Sequence, residues 1–84
     1  MGPRAEVGNG ERLMSRAHDI VRNALGAVAA GGRPLDATQY LVRQLGQGIR
    51  VAASKAAEKV STRESSAEDA VETVLAAWRR SQAA

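Results

Sequence analysis

From Glu11 to about Ala30 the apolar residues Leu13, Met14, Ala17, Ile20, Val21, Ala24, Leu25 and Val28 fall on one arc of a helix, and Arg12, Ser15, Asp19 and Arg22 lie opposite. This pattern predicts an amphipathic helix over residues 11–30. Asn9 is placed to accept from its first free N–H groups, and Gly31-Gly32 followed by Pro34 is a strong stop. Residues 1–10 carry Gly and Pro breakers without periodicity, which predicts a flexible N-terminal arm ahead of a single helical domain at 11–84.

A second stripe, Leu41, Leu45, Ile49, Ala52, Ala56 and Val60, advances in steps of three and four and predicts a helix over residues 36–60. Asp36 is its expected N-cap, with Leu35 as a hydrophobic staple onto the first turn. Gly46 and Gly48 interrupt this stretch, each costing about 1 kcal/mol relative to Ala inside a helix. The periodicity favours one helix, uninterrupted or kinked, and a turn at 46–48 is the alternative. After a polar linker at 61–66, Ala67, Ala70, Val71, Val74, Leu75 and Trp78 predict a third helix over 66–81. Its start carries the capping box Ser65-x-x-Glu68, with Ser66-x-x-Asp69 as the other register, and Arg79 and Arg80 complement the helix dipole at its end. No segment alternates with a period of two, so strands are not expected. The fold class read from the pattern is therefore all-α, a small three-helix domain with Leu13, Ile20, Val21, Leu25, Leu41, Leu45, Ile49, Val71, Val74, Leu75 and Trp78 in its core.

Composition changes this picture mainly by showing how thin the core must be. Of 84 residues 17 are alanine, and phenylalanine and cysteine are absent. Alanine has little surface to bury, so ordering costs of roughly 1.5 kcal/mol per residue are offset by few large side chains. Self-association or a bound partner is the physical expectation. At 36–60, roughly 37 Å by the helical rise, the second helix is longer than its neighbours cover, and Ala52, Ala53, Ala56 and Ala57 are expected to remain free for another chain. The lack of cysteine excludes disulfides and thiolate metal sites, and the single histidine, His18, excludes a multi-histidine site within one chain. No apolar run has the 18 to 20 residues that cross a bilayer, and no signal-peptide pattern is seen, so a cytoplasmic protein without membrane contact is expected. The excess of Arg (10) over Lys (2), beside abundant Ala and Gly, is the codon signature of a GC-rich bacterial or phage genome and is discounted as evidence of binding.

Candidate chemistry is sparse. His18 and Asp19 are adjacent on a helix and diverge, so they form no general-base pair, and Ser15 has no oriented partner. Glu64, Glu68, Asp69 and Glu72 are explained by helix capping and the dipole rather than by a metal. Gly46-Gln47-Gly48 lacks the strand and third glycine of a nucleotide-binding loop. No catalytic, metal or cofactor site and no small-molecule substrate are expected, and the chain is read as a non-enzyme.

Two surfaces remain. Tyr40, Arg43, Gln47, Arg50 and Ser54 share one face of a continuous second helix and include residue types enriched at binding hot spots, which makes that face the expected protein-partner surface. The stretch Ala37-Thr38-Gln39-Tyr40-Leu41-Val42-Arg43-Gln44-Leu45-Gly46 resembles the first helix and turn of a helix-turn-helix. That resemblance implies a recognition helix at 49–60 with Arg50, Ser54, Lys55 and Lys59 toward nucleic acid. Gln47 stands where that motif has an apolar residue, and Gly48 is a second glycine in the turn. The first reading is a non-enzymatic helical interaction module, a small regulator, adaptor or assembly subunit. The alternative is a small DNA-binding regulator using 37–60.

Overall fold

The computed structural model describes the backbone of residues 2–83 and the side chains of residues 12–83. Four α-helices succeed one another: α1 (Gly2–Ala29), α2 (Pro34–Leu45), α3 (Arg50–Ser61) and α4 (Ala67–Ala83), with a single 3-10 turn at Gln47–Ile49 between α2 and α3. No strand occurs among the described residues. The chain is thus all-helical, but the expected three helices become four because the middle one divides.

The long helix α1 is the spine. Its 28 residues span about 42 Å at 1.5 Å per residue and account for the longest dimension of the molecule, 47 Å. The segment read as an arm is helical from Gly2 onward. Pro3 lies in the first turn, where a missing N–H costs no intrahelical bond. The cap expected at Asn9 rests on a side chain outside the described residues, and the backbone there is already within the helix. At the other end α1 stops as expected, in a Schellman motif. Gly31, at φ 110°, donates to the Val28 carbonyl at 3.0 Å, and Gly32 donates to the Ala27 carbonyl at 2.8 Å.

Helix α2 begins two residues earlier than expected. Pro34 occupies its first turn after the extended residue Arg33, so Asp36 sits inside that turn and meets the dipole without capping. Leu35 is 63% exposed and staples nothing. Thr38, the one buried polar side chain among the described residues, donates its hydroxyl to the Pro34 carbonyl at 2.9 Å. The helix ends where Gly46 adopts φ 100°, ψ 166° and returns its N–H to the Val42 carbonyl at 2.8 Å. A residue with a Cβ is strained there, so the glycine that costs stability within a helix is the residue that permits this turn.

Helix α3 ends in a second Schellman motif, Arg63 donating to the Val60 carbonyl at 3.2 Å and Glu64 to the Lys59 carbonyl at 2.9 Å. Arg63 takes the left-handed position at φ 65°. Of the two cap registers before α4, the structure uses Ser66: its hydroxyl accepts from the Asp69 N–H at 3.1 Å. All four helices contribute to one core. Val21, Leu25, Leu41, Ile49, Val71, Val74 and Leu75 are buried as expected, while Ile20, Leu45 and Trp78 are only partly covered. Leu13 is 60% exposed, because α1 reaches its level where the bundle ends, beside Leu45 and Trp78. The alanines expected to serve another chain are mostly used internally: Ala53, Ala56 and Ala57 are buried against the neighbouring helices, leaving only Ala52 partly open.

Candidate functional site

The turn at Gly46 decides where the candidate residues lie. On an unbroken helix Tyr40, Arg43, Gln47, Arg50 and Ser54 share a face, but here they fall on α2, the 3-10 turn and α3, and no single helical face carries all five. All five are exposed. Arg50 donates its Nε–H to Gln47 Oε1 at 2.9 Å, which ties the two together across the start of α3. Tyr40 goes elsewhere. It borders an open groove of about 370 Å³ between α1 and α2, with Asn23, Ala24, Val28, Arg33 and Asp36 around it. That neighbourhood was not legible from α2 alone, because it depends on which part of α1 packs beside it.

The residues proposed for nucleic acid, Arg50, Ser54, Lys55 and Lys59, are all exposed on α3. The buried side of this helix is formed by Ala53, Ala56, Ala57 and Val60, so the helical period places Val51, Lys55 and Glu58 at the middle of the outward face. Val51 is 67% exposed. The outward face of α3 therefore carries an aliphatic side chain and a carboxylate among its bases, and Arg50 lies toward its flank.

Lys55 and Lys59 also line a larger groove, of about 580 Å³, between α3 and α4. Its floor is Ala52, Ala56, Ala70 and Ala77, and Thr73 and Arg80 project from α4 along its other side. Arg80 and Thr73 did not emerge as candidates from the sequence, where Arg80 reads only as a complement to the dipole. Their position beside the lysines results from the reversal at Arg63, which brings α4 back along α3. Among the described residues the one ion pair is Asp19 with Arg22, 3.6 Å apart on α1. The three cations of the groove thus have no carboxylate within salt-bridge distance among those residues. Glu64 at the closed end accepts from the Thr62 hydroxyl at 2.7 Å.

Elsewhere, half-buried His18 neighbours an exposed Asp19 whose carboxylate is turned to Arg22. Glu68 and Asp69 lie in the first turn of α4, where they complement its dipole, and no group of three or more metal-binding side chains converges among the described residues. No helix of the described residues is long and apolar enough to cross a membrane. Comparison with protein-family models, curated proteins and solved structures finds no match for this chain.

Proposed function

We propose that this protein is a non-enzymatic helical interaction module, a small regulator, adaptor or assembly subunit whose partner is a protein docking on its helical surfaces. The observation that carries this reading is the pair of interhelical grooves, α1–α2 beside Tyr40 and α3–α4 beside Val51. Each sets polar or charged side chains beside apolar ones, Arg33 and Asp36 beside Val28 and Tyr40 in the first and Lys55, Lys59 and Arg80 beside Val51 and the alanines in the second, a mixture that suits a protein surface. Exposed Tyr40 and Val51 at these grooves supply apolar area whose burial under a partner is favourable. Self-association is a secondary form of the same reading, and its best-supported surface is now the Leu13, Met14 and Trp78 end of the molecule rather than the alanines of α3.

A photo-crosslinking side chain placed in turn at Tyr40, Val51 and, as a control on the outer face of α1, Arg22 tests this in cells that make the protein. The expected result is an adduct of one discrete mass from Tyr40 or Val51 and none from Arg22. Equal labelling from all three positions, or none from any, overturns the reading.

A second reading has a specific observation in its favour. The division at Gly46 gives the order helix, turn, helix over 34–61, with Arg50, Ser54, Lys55 and Lys59 exposed on the second helix. This supports a DNA-binding regulator. Glu58 and Val51 at the middle of the outward face weigh against it, since a carboxylate there faces phosphates across a narrow gap.

A further inference from the structure

We infer that the α3–α4 groove receives a short acidic amphipathic helix from a protein partner, a conclusion that rests on the interaction-module reading and specifies one of its sites. The first argument is shape. One side of the groove is lined by Gly48 of the 3-10 turn and by Val51, Ala52, Lys55, Ala56 and Lys59 of α3, the last five at the three-and-four spacing of a single stripe, and α4 supplies Ala70, Thr73, Ala77 and Arg80 at the same spacing. Two helices connected by a short reversal leave a trough between these stripes. From Gly48 to Lys59 it runs about 17 Å at the helical rise, the length of three helical turns. Ala56, Ala70 and Ala77 at its base are buried between α3 and α4, so a third helix seats its apolar residues on exposed Val51 and partly open Ala52, between the two charged walls.

The second argument is charge. Lys55 and Lys59 stand one turn apart on one wall and Arg80 stands on the other, and none pairs with a carboxylate among the described residues. The acid lining the groove, Glu64, is engaged by Thr62 at one end. A helix with Glu or Asp flanking its apolar stripe meets a cation on each side, while a basic helix is repelled. The apolar floor separates this occupant from nucleic acid, whose phosphates find no complement in Ala52, Ala56, Ala70 or Ala77.

The test uses the full chain and two synthetic helix-locked peptides of about four turns. Both carry leucine and alanine on one face; one has glutamates flanking that face and the other has lysines in the same places. Fluorescence anisotropy measures affinity, and amide chemical shifts locate the contact. The acidic peptide is expected to bind at least about tenfold more tightly than the basic one, a difference of about 1.4 kcal/mol. Its shifts should fall on 48–59 and 70–80, and Lys55→Glu with Lys59→Glu should remove the preference while leaving the helical circular dichroism unchanged. Equal affinity of the two peptides, shifts centred on the Tyr40 groove, displacement of the peptide by duplex DNA, or occlusion of the groove by a second copy of the chain each overturns the assignment. If the peptide fails to bind but Tyr40 crosslinks to a partner, this groove fails and the module reading stands; if neither position crosslinks, both fall.

Discussion

Arg63 is held in the left-handed region at φ 65°, a conformation that costs an L residue roughly 1–2 kcal/mol and that a helix ending this way usually assigns to glycine. Arg63→Gly is therefore expected to stabilise the protein by about 0.5–1 kcal/mol after the extra freedom of an unfolded glycine is deducted, raising Tm by roughly 3–6 °C. A lower Tm would show that the arginine side chain contributes more than its backbone costs. Among large side chains, Leu25 is fully buried and Leu13 is not. Leu25→Ala should lower the free energy of unfolding in urea by about 3 kcal/mol and Leu13→Ala by under about 1. The reverse order would place the core elsewhere. Most of the core was legible because Val21, Leu25, Leu41, Val71, Val74 and Leu75 are large residues on clear stripes. Leu13 lies on the same stripe as Leu25, but periodicity does not say where the opposing helices end. Ala53 and Ala57 escaped for the opposite reason: an alanine contributes so little hydropathy that the face of α3 was extrapolated from Leu41 and Leu45, and the turn at Gly46 rotates it.

Among the elements, the junction between α2 and α3 has the widest consequences, because it sets which faces of both helices point outward. Gly46 supplies the backbone reversal, and Gly48 has a different task. A Cβ built on Gly48 would lie 2.8 Å from the Ser81 Cβ and 3.2 Å from its Oγ, so the 3-10 turn is pressed against the last turns of α4. Gly48→Ala is expected to cost about 1–3 kcal/mol of stability despite alanine being the better helix former. Ser81→Gly, which removes the opposing atoms, should recover part of that loss when combined with it. A cycle in which the two substitutions add independently would show that the contact is not the cause. Both glycines were visible in the sequence as irregularities, but the role of Gly48 depends on a tertiary neighbour more than thirty residues away, whereas that of Gly46 is local. The choice between Ser65 and Ser66 as the cap of α4 was similarly open, since both registers place an acid three residues on. Ser66→Ala should destabilise by about 1 kcal/mol and Ser65→Ala by much less, measured by thermal denaturation.

At the level of the whole molecule, eight of the seventeen buried apolar residues among those described are alanine, so the helices sit close together around a small number of large side chains. Such a body hides little apolar area for its length and leaves grooves between its helices, which is the physical basis for reading it as a surface for another protein. The candidate site was only half legible. Lys55, Lys59 and Tyr40 could be named from α2 and α3, but their neighbours Arg80, Thr73 and Asn23 come from helices brought alongside by the turns. The same rearrangement produced the helix, turn, helix order of the competing reading, so the two accounts must be separated in solution. Three phosphate contacts from Arg50, Lys55 and Lys59 would give a salt slope near −2.7, or roughly a 40-fold loss of affinity between about 50 and 200 mM salt. The most direct measurement is the anisotropy of a labelled mixed-sequence DNA duplex titrated with the protein at those two salt concentrations. A protein-docking module predicts no saturable binding at either. Saturable binding with that steep slope, flattened by Arg50→Ala and Lys55→Ala, would contradict it and identify α3 as a recognition helix.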